Sequence, residues 1–405
     1  MERHEAVAHL LRRTTFGPRP GQVERLVDRD LDDVITEIVD DRGDRAEGAA
    51  APDLDADDEL VVWWLNRLRD PRAGLHERMV WYWHGHFTTS LAQVTADMMW
   101  QQHLRIRRHA LGNFRDLTRE LLTDAAMLVY LDGSGSRGEE PNENLARELM
   151  ELFTLGVGNY TEDDVKAAAR ALSGYWVDWE TAEVHFEAAD HYDRPVRFLG
   201  ERAHYDVDRV VEALLDQPAC ARHVAGRLHR HLVGLDAEPA QLDRLAAVFR
   251  AHDLEITPLV EAILRSDAFA GARRTRTRQP IEWLVAALPA LGADDAEIDV
   301  WSLSVAGQLP FHPPNVAGWP DGDRWVDGSQ VLNRINRVLD LGWQEAIDLE
   351  VEPDVDTVLA RCGIWDVSPT TRAVLDDAIR RQSEYDRGLE LLFALTLTSP
   401  EFALA

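Results

Sequence analysis

The sequence is short of the residues that build several common kinds of site. It has two cysteines, Cys220 and Cys362, far apart and in no CxxC or CxxH spacing, which argues against a disulfide framework or a thiolate zinc site. No apolar run approaches the roughly 18 residues of a membrane span, and the first residues show no cleavable signal pattern. We therefore expect a cytoplasmic, soluble chain with no membrane partner.

Positive charge is also scarce. The 405 residues include 43 Lys and Arg against 72 Asp and Glu, which gives a formal net charge of −29, and Lys166 is the single lysine. Such a field repels phosphate backbones, so nucleic acid is not an expected partner. Recognisable catalytic signatures are missing too, because the chain contains no HExxH, no GxSxG and no phosphate loop.

What the sequence does contain is helical periodicity. Apolar residues recur every three to four positions along most of the chain, which predicts a mainly α, multi-helix globular bundle. Two irregular blocks interrupt it: residues 175–205, whose loose alternation predicts one or two short hairpins, and the Pro/Gly/Trp-rich block 309–328. We expect one large helical domain over 1–405, with a subdivision into 1–174 and 206–405 as an alternative, and an acidic linker at 40–58.

The first candidate site segment is residues 81–87, WYWHGHF. His84 and His86 would point about 200° apart on a continuous helix, since each residue turns roughly 100°. Gly85 predicts that the helix ends there, which would turn both imidazoles to the same side of the chain. Two imidazoles on one side could then serve as two of the ligands of a metal ion. Histidines among aromatics are commonly hydrogen-bonded core residues, but two so close together are poor core filler.

The second candidate segment is the helix NENLARELMELF, predicted from Asn142 to Leu155. Asn144, Glu148 and Glu151 lie at i, i+4 and i+7 and form one polar stripe. Together with the two histidines they would make a nitrogen and oxygen donor set suited to Zn, Fe or Mn. The same residues could instead form a buried hydrogen-bond network that holds helices together and has no catalytic role. The polar stripe alone does not distinguish a catalytic site from such a structural network.

The third candidate segment is the loop PPNVAGWP, followed by a further tryptophan. Aromatic walls often line small-molecule pockets, so Asn315, Trp319 and Trp325 are candidate substrate-binding residues. Shaping a Pro/Gly-rich loop is the alternative role for all three. Both roles place this loop over a cleft.

Taken in order, these segments resemble the bacterial family called domain of unknown function 1800. The matching features are LLRRTTFGP, WYWHGHF, LLTDAAMLVYLDG, NENLARELMELFTLG, YTEDDV, PPNVAGWPDGDRW and LTSPEF, which span nearly the whole chain. The resemblance implies a helical fold and brings no established reaction. It also implies a sulfatase-like neighbour-family protein as a partner, because many relatives are encoded beside one. Many relatives look exported, whereas this chain lacks an export signal.

Two functions are consistent with these patterns. The first is an enzyme, a hydrolase-like one, with a metal-assisted or general acid/base site between WYWHGHF and NENLARELMELF; His84, Glu148 and Glu151 would be catalytic, and His84, His86, Glu148, Glu151 and Asn144 would hold a divalent metal. The second is a non-catalytic binding or assembly protein that grips a protein or glycan partner with its Trp-rich insertions. A small-molecule ligand is the partner expected for the first.

Overall fold

A computed structural model describes residues 2–41, 52–55, 57–298, 300–344, 346–347, 354–381 and 388–405. Most of the predicted acidic linker 40–58 lies outside these residues. Helices account for most of the described chain, and the predicted mainly α fold is confirmed. The α-helices are Glu2–Thr14, Gln22–Leu26, Leu31–Asp40, Asp57–Arg69, Leu75–His86, Ala96–His109, Phe114–Leu122, Ala125–Tyr130, Asn144–Glu148, Glu162–Ala171, Val207–Leu215, Pro218–Val233, Pro239–Ala251, Ile256–Leu264, Asp267–Gly271, Pro280–Leu291, Val300–Val305, Gly328–Trp343, Val355–Arg361, Pro369–Arg381, Gly388–Thr398 and Pro400–Ala403.

The apolar stripes of these helices meet in a contiguous core. Its buried members run from Leu10 to Phe402, so both the 1–174 and the 206–405 segments contribute to it. A fully buried Leu, Val or Phe side chain contributes roughly 1.5–3 kcal/mol relative to an exposed one. This shared core is the scaffold that brings the three candidate segments together.

The first irregular block folds as the hairpins that its alternation predicted. Tyr175–Val177 pairs antiparallel with Val184–Phe186, and Val196–Phe198 pairs antiparallel with Glu201–Ala203. The second block, 309–328, contains no strand among its described residues and carries one short 3₁₀ helix, Gly322–Trp325. The prediction of two irregular insertions in a helical protein is confirmed.

The helix that carries the two histidines, Leu75–His86, is called here the histidine helix. The prediction that it ends at Gly85 is wrong, because it continues through His86 and closes when the Phe87 N–H donates to the Trp83 carbonyl (2.8 Å). A Cβ built at Gly85 would meet nothing within 4 Å, so neither turn geometry nor crowding demands a break there. His84 and His86 therefore leave the helix on different sides.

The NENLARELMELF segment is not one regular helix either. Asn144–Glu148 is α-helical, and Leu149–Thr154 then forms a π-helix, called here the π turn. A π turn bonds i→i+5, so the stripe predicted from α-helical spacing changes direction after Leu149. Helix ends also leave carbonyls without an intrahelical partner, and π turns are frequent at functional sites.

Candidate functional site

A cavity of about 130 Å³ opens beside the histidine helix. It is large enough for a small molecule rather than for one water. Four separate stretches of chain supply its walls, and they are residues 81–86, residues 227–231, Arg276 with Gln279, and residues 317–321. The first and last of these are the WYWHGHF and PPNVAGWP segments, so the structure brings two of the three predicted segments to one cavity.

The PPNVAGWP loop reaches the cavity through a backbone contact with the histidine helix. Gly318 has a φ of +85°, and a Cβ built on it would lie 2.6 Å from the Gly85 carbonyl oxygen. Real Cβ atoms do not approach that closely, so only glycine permits this contact. The contact places Trp319, the next residue, in the cavity wall beside His84 and His86.

The three predicted substrate-binding residues have different roles in this loop. Trp319 lines the cavity, and its indole Nε1 is buried with no partner among the described residues. Trp325 is buried behind the loop and donates to the Pro320 carbonyl (2.6 Å). Asn315 is exposed and accepts from the Ala317 N–H (2.9 Å). Asn315 and Trp325 thus shape the loop that presents Trp319.

His86 is fixed by the carbonyl end of the π turn. Its Nε2 lies 2.9 Å from the Phe153 carbonyl, and the Nε2 of His223 lies 2.8 Å from the preceding carbonyl, that of Leu152. A carbonyl only accepts, so each Nε2 carries the proton. Two histidines from different helices therefore cap two orphan carbonyls of one helix end.

This bond determines the chemistry of the His86 ring. Burial, and then the charge of Arg227 and the neighbouring His223, hold the pKa of His86 well below its usual value, so the ring is neutral. With the proton on Nε2, the Nδ1 atom keeps its lone pair. That atom is buried and has no partner among the described residues, and the ring lines the cavity. His86 is therefore a neutral acceptor in the wall of the cavity, with its Nδ1 atom shielded from solvent.

His84 lies on the other side of the helix but also contributes to the cavity wall. Its ring packs against Trp64 and Phe311, with ring centroids 5.1 Å and 5.2 Å away, and neither of its nitrogens has a partner among the described residues. Burial, with a smaller contribution from His312, lowers the pKa of His84 to about 3. It is a neutral imidazole in aromatic surroundings.

The predicted carboxylates occupy different surroundings from the histidines. Glu151 accepts from the Tyr160 hydroxyl (2.9 Å), and Asn144 Nδ2 donates to Asp132 (3.3 Å). Partial burial, followed by repulsion from Glu151, raises the pKa of Glu148, so these two carboxylates do lie near each other. Neither of them lines the histidine cavity, whose contact with this segment is through the π-turn backbone instead.

These positions give the predicted donor set no support as a metal centre. Across the residues that the structure describes, no three His, Cys, Asp or Glu side chains are grouped so that they could hold a metal ion. The residues present therefore do not fit the predicted Zn, Fe or Mn site.

Sequence reasoning missed the basic side of the cavity. Arg227, Arg230 and His231 line it from the helix Pro218–Val233, called here the arginine helix, and Arg276 lines it from the segment before Pro280–Leu291. The signal that could have found them is their i, i+3, i+4 spacing, which puts the first three on one helix face. In a chain of net charge −29 such a face is unusual.

A buried ion cluster holds Arg276 in place. Glu282 accepts from both terminal nitrogens of Arg276 (2.8 Å and 2.7 Å) and lies 2.6 Å from Arg78. Burial alone would raise the pKa of Glu282, but Arg276 and Arg78 together lower it to about 2. One carboxylate therefore anchors two guanidinium groups below the cavity.

Comparison with known proteins adds a family to this geometry. A family model described as "Protein of unknown function (DUF1800)" matches residues 9–404. The chain belongs to the DUF1800 family. No curated protein matches the chain, and neither does any solved structure. No helix in the described part of this DUF1800 protein is long and apolar enough to cross a membrane.

The family supplies no reaction, so the chemistry of this DUF1800 protein has to come from the cavity. The walls offer a neutral imidazole acceptor at His86, guanidinium donors at Arg227 and Arg276, and aromatic faces at Tyr82 and Trp319. Apolar walls with a few convergent polar groups are typical of ligand and active sites. A buried acceptor without a hydrogen-bond partner destabilises the folded protein, so its presence calls for a functional explanation.

Proposed function

We propose that this protein is an enzyme that binds a small molecule in the histidine cavity and catalyses general acid/base chemistry there, with hydrolysis as the reaction class. The observation that supports it is the bond from His86 Nε2 to the Phe153 carbonyl, which leaves Nδ1 as an unpartnered acceptor in the cavity wall. A base held in one tautomer by a fixed acceptor is the arrangement that general-base histidines use.

In this proposal each wall of the cavity has a part. His86 Nδ1 accepts a proton from a water held in the cavity as the water oxygen bonds to the electrophilic carbon or phosphorus of the substrate, and it returns that proton to the leaving group as the bond to that group breaks. Because burial keeps the pKa of His86 low, the imidazolium gives up this proton readily. Burial raises the pKa of Tyr82, so its hydroxyl stays protonated and can donate a hydrogen bond to the ligand. Trp319 covers the ligand and restricts the access of water, which strengthens the polar contacts inside.

The histidine pair at the π turn allows a matched test. Replacing His86 by glutamine keeps an N–H donor that reaches toward the Phe153 carbonyl but removes the basic nitrogen. We expect His86→Gln to lower hydrolytic kcat/KM by about 10²–10⁴-fold, the usual contribution of a general base. The measurement is the hydrolysis rate of purified protein on a panel of small esters, amides and phosphate esters.

The control is His223→Gln, because His223 makes the same bond to the adjacent carbonyl but does not line the cavity. It should retain activity within a few-fold. Gly85→Leu, whose added side chain enters open space in the cavity, should abolish activity without unfolding the protein. Equal losses in His86→Gln and His223→Gln would show that the bond is structural and would contradict the proposal.

A second candidate function is binding of a protein or glycan through the first hairpin. Trp179 and Phe186 expose 57% and 50% of their surface. The turn that carries Trp179 is braced because the Glu180 and Thr181 N–H groups donate to Asp178 (2.8 Å and 3.0 Å). Rigid exposed aromatics are typical of recognition surfaces.

If the hairpin is the binding surface, Trp179→Ala should remove most of the binding to immobilised glycans or to a co-purifying protein. The physical reason is the loss of one large apolar anchor, which at an interface hot spot lowers the binding free energy by about 2 kcal/mol or more. The comparison is Trp301→Ala, which removes an even more exposed tryptophan elsewhere. Equal binding by both variants and the native protein would eliminate this role.

A further inference from the structure

Arg227 lies at the centre of the charged groups around the histidine cavity. Its positive charge lowers the pKa of His86, His223 and His231, so it is close to all three rings. Its charge also acts on the Tyr82 hydroxyl, which is buried and has no hydrogen-bond partner among the described residues. The side chain is half-buried and forms part of the cavity wall.

Arg227 differs from its neighbours on the arginine helix in one respect. Arg222 pairs with Asp243, and Arg230 pairs with Asp236. No carboxylate among the described residues forms an ion pair with Arg227. A half-buried guanidinium whose neighbours are a phenol and neutral imidazoles lacks the counter-charge that such groups normally have.

The other charged groups near the cavity do not supply a counter-charge for Arg227. Glu282 is shared between Arg276 and Arg78 and has no remaining charge for a third guanidinium. Asp321 lines the exposed rim of the cavity, where it accepts from the Gln279 side chain (3.4 Å), and its charge acts on Arg276, Arg78 and Tyr82. The guanidinium groups of Arg227, Arg276 and Arg78 still outnumber the carboxylates of Glu282 and Asp321. The interior of the cavity is therefore positive, although the protein as a whole is strongly negative.

Buried donors without partners point the same way. The Trp319 indole Nε1, in the cavity wall, is buried with no partner among the described residues. An Arg78 terminal nitrogen, Nη2, is buried without a partner too, but it lies behind the cavity lining. Guanidinium and N–H donors in one concave, partly dry space are the groups that bind oxyanions, and Arg presents them in a planar fork.

We propose that the ligand of the histidine cavity is a small organic anion whose carboxylate, phosphate or sulfate group pairs with Arg227, opposite the Nδ1 atom of His86. This inference rests on the proposed function and specifies the substrate class. The anion supplies the counter-charge that the protein itself lacks at Arg227. Its uncharged remainder lies between Trp319 and Tyr82, within reach of the imidazole acceptor.

Anion binding to the intact protein tests this directly. Inorganic phosphate, sulfate and acetate are titrated separately by calorimetry at constant ionic strength set with sodium chloride. We expect saturable one-site binding of at least one of them, and the strongest of the three identifies the anionic group of the ligand. Arg227→Gln should weaken that binding at least about tenfold, because a charge-assisted hydrogen bond is worth about 1.5–3 kcal/mol.

Arg222→Gln is the matched control, since it removes the same charge from the same helix at an exposed ion pair. It should change the affinity less than twofold. Gly85→Leu, which alters no charge, should abolish binding and so locate it in the cavity. No saturable binding, or equal weakening by Arg227→Gln and Arg222→Gln, overturns the inference.

The experiment also separates this inference from the proposed function. If the native protein binds none of the three anions but hydrolyses neutral esters in a His86-dependent way, the enzyme proposal stands and the anion class is wrong. If an anion binds through Arg227 while His86→Gln leaves every hydrolytic rate unchanged, the anion class stands and the acid/base role is wrong.

Discussion

Replacing Glu282 by glutamine should lower the free energy of unfolding by about 3–5 kcal/mol, the usual cost of removing one partner from a buried ion cluster. Two buried guanidinium groups, those of Arg276 and Arg78, lose the carboxylate that both now contact. Chemical denaturation monitored by tryptophan fluorescence measures the change. Because Arg276 lines the cavity, we also expect Glu282→Gln to weaken ligand binding.

The comparison is Glu261→Gln, which removes a carboxylate from an exposed i,i+4 pair with Arg265. Exposed pairs of this kind contribute about 0–1 kcal/mol. The pKa of Glu282, lowered to about 2, adds a pH signature. Because the pKa of Glu282 is lower in the folded state, its carboxylate stabilises the fold at pH values above the unfolded pKa of about 4.3. This stabilisation is lost as the pH falls toward 2, so the corresponding acid sensitivity should be absent in Glu282→Gln. A loss below about 1 kcal/mol would contradict the cluster's role.

Replacing Gly318 by alanine should open the cavity. A methyl group would meet the Gly85 carbonyl at 2.6 Å, and the residue would also have to hold a positive φ. The left-handed conformation costs an alanine roughly 1–2 kcal/mol, and overpacking typically adds 1–3 kcal/mol unless the loop moves away. The loop must move to relieve this strain and crowding, which displaces Trp319. Ligand binding should therefore fall more than tenfold, while the circular dichroism signal of the helices stays unchanged.

The control for Gly318→Ala lies in the same loop. Gly322 has a similar φ of +79°, but a Cβ there would meet nothing within 4 Å. Gly322→Ala should therefore show the conformational cost alone and keep its ligand binding. If both variants behave alike, the close backbone contact does not hold the cavity closed.

Helices were predictable wherever apolar spacing and a polar cap agree. Phe114–Leu122 and Val207–Leu215 combine regular apolar spacing with a capping residue, Asn113 and Asp206 respectively. The π turn was not predictable, because the same apolar residues suit an α-helix up to Leu149 and only tertiary packing selects the wider turn.

The site was predictable only in part, for a physical reason. His84, His86 and Trp319 stand in conspicuous motifs and do share a cavity. The partner that fixes His86 is a backbone carbonyl, which has no side-chain signature in a sequence. The basic wall was missed because Arg227 lies on the arginine helix and Arg276 on a separate non-helical segment, and only the fold brings them together.

The order in which this cavity can assemble follows from the pairing of Arg276 with Ala405. The two residues exchange backbone hydrogen bonds (3.4 Å and 2.7 Å), beside an isolated bridge between Thr277 and Leu404. During translation residues 404 and 405 emerge long after the histidine helix, and such long-range contacts form late in folding. The histidine wall of the cavity is therefore synthesised well before the contact that ties the Arg276 segment in place, so the basic wall is completed after the histidine wall.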